Sequence, residues 1–310
     1  MAVTDAAETT GAAAGFPLPM PKTTALARRL SAASRKKSFD PYRDIDWSVP
    51  IDDSAYHLPP EKLTLFGTRQ WFEMSDAERI AYSRHEAAAL CGTGIWLENI
   101  LMRILVDRLY ELSPGDAIEQ YLLVEVGDEC RHSTMFAEFV RRAGTPAYRP
   151  EPRLRALGRL VRSVYGASSA FVAVLAAEEL LDSMNRATSA DKRLHPVTRA
   201  IARIHVTEEA RHVSLARSCL RETYPKLGRA ARAGVALLAP FTVRVVANAT
   251  VNPAVFASLG LPGGADAARD NPHHVRGLEQ DLASLTGFLA EIGIIDRWTR
   301  PLWNKLRLLA

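Results

Sequence analysis

Two glutamates, Glu98 and Glu129, stand thirty-one positions apart, and so do Glu178 and Glu209. Each later one is followed three positions on by a histidine, His132 and His212. The flanks repeat as well, since Asp128-Glu129-Cys130-Arg131-His132 is echoed by Glu208-Glu209-Ala210-Arg211-His212. One E-x-x-H arises easily by chance, but two with matched upstream glutamates and matched flanks form a repeated unit. On an α-helix, residues three apart share a face, so each pair offers a carboxylate oxygen and an imidazole nitrogen to one point. Two such halves facing each other define two metal positions, because a carboxylate can bind one cation or bridge two. Oxygen-rich, nitrogen-poor coordination suits iron or manganese, whereas zinc takes more His or Cys. One imidazole per metal leaves positions open for dioxygen.

The halves differ at one place. Four residues before Glu209 stands His205, and four before Glu129 stands Glu125. His205, Glu209 and His212 lie within about 60° of one helical face, so His205 is a candidate seventh ligand. Glu125 is open to three readings: an acceptor for a histidine, a further carboxylate ligand, or a surface charge. Asp128 and Glu208 are placed to orient a ligand histidine through its outer nitrogen, with Arg131 and Arg211 as their charge partners. Glu178 lies in a run, Ala170 to Leu181, where nearly every neighbour is apolar. Buried together, the four glutamates would repel each other unless cations were bound, because each costs several kcal/mol to desolvate.

These residues need four helices. Ser75 with Glu78 is a capping box, and from there to Leu112 only Gly92 and Gly94 interrupt the periodicity. Ser113-Pro114-Gly115-Asp116 restarts the chain as a second helix, stopped by Gly144 and Pro146. Helices are expected over Pro152–Val164, over Ser168–Ala187 with Glu178, and from Pro196 to about Pro225. Further helices are expected over Leu227–Ala249, Pro272–Ile292 and Arg300–Leu309. A loop is expected from Gly260 to Asn271. Pro59 and Pro60 open a short helix to about Phe72, after an extended arm from Tyr42 to Tyr56. No alternating strand pattern occurs, so the class is all-α.

Residues 1–40, rich in Ala, Thr, Pro and basic side chains, read as a largely disordered tail, and 41–310 as one helical domain. The formal charge of +4 comes partly from Arg28, Arg29, Arg35, Lys36 and Lys37. A short basic run of this kind is a solvated tail, so no nucleic-acid partner is assigned. The 47% hydrophobic and 24% charged fractions exclude a disordered or fibrous chain. Three cysteines without metal-type spacing argue against a disulfide framework and read as small buried hydrophobes. No signal peptide and no uninterrupted apolar run of about 18 residues is found, so no membrane span and a cytoplasmic location are expected.

From about Ser75 to Tyr224 the chain resembles the p-aminobenzoate N-oxygenase family of non-haem di-iron oxygenases, a ferritin-like group. The resemblance rests on Glu98, the run from Asp128 through Glu129 to His132, Glu178, and the run from His205 through Glu209 to His212. It implies a ferritin-like four-helix bundle with a di-metal carboxylate core and additional helices. It implies Glu98 and His132 on one iron, Glu178, His205 and His212 on the other, and Glu129 and Glu209 bridging. Glu129, Glu209 and His205 are thereby the expected catalytic residues. Two iron ions (or manganese), dioxygen as co-substrate, a small-molecule amine and an external electron donor are the implied cofactors and partners, and a homodimer is compatible. Leu90 and Thr188 stand where an aromatic and an amide residue would hold a small arylamine acid. A di-iron C–H hydroxylase or desaturase, or a non-catalytic ferritin-like iron-binding protein, is the competing function. A radical-generating reductase subunit would need a tyrosine nearer the metals than Tyr121, two turns before Glu129.

Overall fold

A computed structural model describes residues 20–156 and 167–309, and everything regular within them is helical. Four long helices carry the repeated residues: α3 (Asp76–Leu109), α4 (Ala117–Arg142), α5 (Ala167–Ala190) and α6 (Pro196–Thr223). α3 packs along α4 and α5 along α6. The start of α3 is set by the expected box: the Ser75 hydroxyl accepts from the Glu78 N–H at 3.3 Å, and the Glu78 carboxylate accepts from the Ser75 N–H at 2.7 Å. The chain turns between α3 and α4 at Gly115, with φ 88°, and the Asp116 carboxylate then accepts from the Ile118 N–H. Gly144, φ 64°, lies just past the end of α4. Positive φ is the backbone region that glycine enters without a Cβ penalty.

Two apolar clusters fill the bundle at different heights. One joins the end of α3 (Leu101, Leu105), the start of α4 (Ile118, Leu122) and Leu175 of α5. The other joins the start of α3 (Tyr82, Ala88), the end of α4 (Met135, Phe139) and Ile201 of α6. Each buried Leu, Ile or Phe contributes about 1.5–3 kcal/mol, so these layers hold the helices at fixed height. Glu98, Glu129 and Glu209 fall between them in sequence, Glu178 lies at the edge of the first, and all four are buried.

The expected tail is in part a helix. α1 (Pro21–Lys36) packs on α4 and α6, so the folded unit includes residues before 41. Its buried positions are Thr23, Ala27, Ser31 and Ser34, a helical face without large apolar residues, which is why hydrophobic periodicity did not reveal it. The Thr23 N–H donates to Glu222 Oε2 at 2.7 Å, and the Thr23 and Ser218 hydroxyls are 2.8 Å apart. Residues 1–19 lie outside the described part.

Other expectations are refined. The segment from Pro59 holds a 3₁₀ turn (Pro60–Lys62) and then α2 (Arg69–Glu73). Of the expected connecting helix, residues 152–156 are helical and 157–164 lie outside the described residues. α7 (Arg229–Ala249) is as expected, and α8 (Pro253–Ser258) follows it. The expected loop contains α9 (Gly264–Asp270). The expected helix over Pro272–Ile292 is broken at Leu282 into α10 (Pro272–Asp281) and α11 (Ala283–Glu291), and α12 (Arg300–Lys305) closes the described chain. Cys219 is buried, but Cys91 is half-buried and Cys130 exposed, so the expectation of three buried thiols holds for one. Contrary to expectation, two stretches, Asp76–Leu109 and Arg229–Ser258, are long and apolar enough to cross a membrane by length and composition. In this fold the first presents buried Glu86 and Glu98 to the bundle, and α7 packs along α5.

Gly92 marks a close approach. A Cβ there would collide with the backbone carbonyl oxygen of Tyr148. In an open helix interior Gly→Ala stabilises by up to about 1 kcal/mol. Here Gly92→Ala is expected to destabilise by about 1–3 kcal/mol through overpacking, read as a lower urea midpoint. A raised midpoint would show that the Tyr148 segment does not pack there.

Candidate metal centre

All seven residues expected as ligands converge and are buried: Glu98, Glu129, His132, Glu178, His205, Glu209 and His212. Donor atoms of Glu98, His132 and His205 lie within 4.8 Å of one another, as do those of Glu178, His205 and Glu209, and those of Glu129, His132 and Glu209. The two E-x-x-H halves face each other with near symmetry. His132 Nδ1 is 3.0 Å from Glu129 Oε2 and 3.0 Å from Glu209 Oε1. His212 Nδ1 is 3.0 Å from Glu129 Oε1 and 3.0 Å from Glu209 Oε2. Each of these two carboxylates therefore touches both histidines, the placement a bridging ligand needs. His205 Nε2 stands 3.5 Å from Glu98 Oε1 and 3.8 Å from Glu209 Oε1, within reach of both halves. Glu125 is also buried and groups with Glu129 and His212, which removes the surface reading for it.

The outer imidazole nitrogens are held crosswise. His132 Nε2 is 3.0 Å from Glu208 Oε2, and His212 Nε2 is 3.2 Å from Asp128 Oδ2. The acid of one half thus orients the histidine of the other, fixing the ring so that Nδ1 faces inward. Arg211 bridges both acids, at 3.2 Å to Asp128 and 3.4 Å to Glu208. Arg131 pairs with Asp128 and approaches Glu208 at 3.8 Å. His205 is held differently, with its Nδ1 3.0 Å from the side-chain amide of Asn185. A ring offering its Nε2 lone pair inward carries its proton on Nδ1, which the Asn185 oxygen accepts once the amide is turned to face it.

The electrostatics describe a cluster short of positive charge. Burial, then the neighbouring Glu129 charge, pushes Glu98 well above the usual carboxylate range, and burial with Glu209 does the same to Glu178. Burial alone would also raise Glu129 and Glu209. His212, with hydrogen bonds from the ring of His132 among others, outweighs it, holding Glu129 at about 2 and Glu209 well below 4.5. Burial opposes the charge on His132 and His212, yet the surrounding carboxylates raise both well above 6.5. His205, facing only partial compensation for burial, is lowered to about 4. Burial pushes Glu125 up to about 8.

The polar atoms left over test whether metal ions fit. Glu98 Oε2, Glu178 Oε2 and His205 Nε2 are buried without a hydrogen-bond partner, and Glu129 Oε1 and Glu209 Oε1, though each lies 3.0 Å from an imidazole Nδ1, make no well-formed hydrogen bond. Orphaned buried atoms are rare in native proteins, and a group of them in one carboxylate–imidazole cluster is what coordinated cations would satisfy. The residues present fit two carboxylate-bound ions.

A cavity adjoins the cluster on the His205 side. It is lined by Gly94, one turn before Glu98, by Leu181, one turn after Glu178, and by Phe136, whose ring lies 5.4 Å from that of His205. Leu90, Thr188 and Asn185 line it as well. Asn185 had no motif to mark it in the sequence. Phe171 and Leu175 are buried in the apolar core, and Val124 is half-buried. Tyr121 is fully buried, its hydroxyl without a hydrogen-bond partner.

These shifts fix a pH response for metal-free protein. Raised His132 and His212 contribute stability that is complete below the free value of 6.5 and is lost as pH climbs through their folded values. Raised Glu98 and Glu178 act in the same direction, since above 4.5 the unfolded chain releases protons the folded one retains. The lowered groups, Glu129 and His205, change nothing above pH 7, being ionised and neutral respectively in both states. Chelator-treated protein should therefore lose thermal stability between pH 7 and 9, while ferrous or manganous ion should flatten the curve. A Tm of metal-free protein that rises over this interval would contradict the assigned protonation.

Comparison with known proteins agrees with this geometry. Residues 20–293, most of the chain, match the family described as P-aminobenzoate N-oxygenase AurF. Uncharacterized proteins of Mycobacterium tuberculosis (strain CDC 1551 / Oshkosh) and Mycobacterium bovis (strain ATCC BAA-935 / AF2122/97) are each 35% identical over 232 residues, covering 72% of this chain and 68% of theirs. With its all-helical bundle and converging glutamates and histidines, the chain belongs to the p-aminobenzoate N-oxygenase AurF family.

Proposed function

We propose that this chain is a non-haem di-iron oxygenase that uses dioxygen to oxygenate an organic substrate at an amine nitrogen. The observation that carries the reading is the third histidine. His205 is buried, and its unpartnered Nε2 points into a four-glutamate cluster beside an apolar cavity. Family membership supports the same reading.

In this proposal Glu98 and His132 would hold one ion and Glu178, His205 and His212 the other, with Glu129 and Glu209 available to both. The contacts of Glu129 and Glu209 with both histidine Nδ1 atoms support the bridging roles. Iron bound there supplies the redox chemistry with dioxygen, and an external donor must supply electrons. The chain's own residues do the rest. Asp128 and Glu208 accept the Nε2 protons of His212 and His132 and keep both Nδ1 atoms inward. Arg131 and Arg211 balance the charge of those two acids. Leu181, Phe136 and Leu90 keep water away from the substrate side.

Purified protein should contain close to two iron or manganese ions per chain, and Glu129→Ala less than one. Asp128→Ala should weaken metal affinity roughly 10–100-fold, because it frees the outer nitrogen of His212. With reductant and dioxygen, an added arylamine should give an N-oxygenated product by mass spectrometry, and His205→Ala should lose that product while retaining most of its metal. Ferric mineral without product would favour iron storage. Products oxygenated only at carbon would favour a hydroxylase.

A further inference from the structure

The cavity beside His205 neighbours a second one. Leu90, Leu181 and Met184 line both, so these three side chains are shared by an inner chamber, the one beside His205, and an outer chamber beyond them. The inner chamber is lined by no charged side chain among the described residues. Its polar groups are already engaged. The Thr188 hydroxyl donates to the Met184 carbonyl at 2.9 Å, the Thr198 hydroxyl to the His195 carbonyl at 3.0 Å, and the Asn185 amide is with His205.

The outer chamber contains ionisable residues, but few of their charges are available. Lys62 is paired with Asp281 at 2.5 Å, and Asp281 also accepts from the Ser183 hydroxyl. The Glu86 carboxyl accepts from the Thr64 N–H at 3.1 Å, from the Thr64 hydroxyl and from the Tyr82 hydroxyl. Burial raises Glu86 above the usual carboxylate range, and burial lowers His274 to about 4, so His274 tends to neutrality near pH 7. His273 Nε2 lies 2.8 Å from the Glu61 carbonyl. A ligand carboxylate reaching from the inner chamber would meet no unengaged cation among these residues, and burying an unpaired carboxylate is expensive.

We propose that the substrate is a neutral arylamine with an apolar tail and no carboxylate, its nitrogen in the inner chamber beside His205 and its tail passing Leu90, Leu181 and Met184 into the outer chamber. This rests on the N-oxygenase reading for the fate of the nitrogen, but not for the binding preference. Each chamber has a volume of about 50 Å³, so an aromatic ring enters only if side chains yield. Met184, unbranched and at the junction, is suited to moving aside. Leu90 then sets specificity: an arginine at that place would supply the missing cation.

The test is equilibrium binding by calorimetry to the protein as purified, without reductant, using 4-butylaniline and 4-aminobenzoate. The neutral ligand should bind at least about tenfold more tightly, given the cost of burying an unpaired carboxylate. Equal binding, or a preference for the carboxylate, overturns the proposal. Leu90→Arg should shift the ratio toward 4-aminobenzoate by at least about tenfold, and an unchanged ratio in the folded variant counts against it. Met184→Trp should weaken 4-butylaniline by roughly tenfold but aniline by less than about threefold, and equal losses for the two overturn the two-chamber path. If 4-butylaniline binds as expected but gives no nitrogen product with reductant and dioxygen, the N-oxygenase reading falls while the binding inference stands.

Discussion

Four carboxylates at mid-height in an apolar bundle are the constraint to which the rest of the molecule responds. Desolvating each costs several kcal/mol, and together they repel. The chain answers at two levels. Three imidazoles enter the cluster, two of them held in their charged form by surrounding acids when no metal is bound. Outside them, Asp128, Glu208, Arg131 and Arg211 form an alternating set whose charges balance. The apolar clusters above and below are required as well, because a displacement of one helix along its neighbour would separate donor atoms that now lie within 4.8 Å. Removing one partner from such a network leaves a buried charge uncompensated, at a cost of about 3–5 kcal/mol.

The crossed histidine contacts follow from the repeat. Because both halves have the order acid, Glu, two residues, His, a two-fold-like arrangement brings the acid of each helix against the imidazole of the other. Contacts within one half would have tied each histidine only to its own helix. The crossing ties α4 to α6 through side chains at the level of the cluster, where the two helices otherwise pack less closely than α5 with α6. The site is thus also a structural clamp between the two helix pairs.

Much of this was legible in the sequence because helical spacing is geometric. Residues at i, i+3 and i+7 share a face whatever surrounds them, so the E-x-x-H pairs and His205 could be placed before any fold was known. The ends of α3 and α4 were legible because capping and glycine turns are local. α1 was not, since Thr23, Ala27, Ser31 and Ser34 pack through small side chains and a hydrogen bond to Glu222, nearly two hundred residues away. The break at Leu282 was likewise hidden, because no Gly or Pro marks it. Which carboxylate reaches which histidine, and the role of Asn185, depend on contacts between helices and have no local signature.

The three histidines are not equivalent, and the difference follows the geometry of the cavity. His132 and His212 lean on carboxylates, which raise the basicity of an imidazole and bind a ligand firmly. His205 leans on the neutral amide of Asn185, and burial leaves it far less basic, at about 4. It stands on the side where Phe136, Leu181 and Asn185 line the inner chamber. The sequence places that asymmetry in one substitution between otherwise matched halves, His205 where the other half has Glu125.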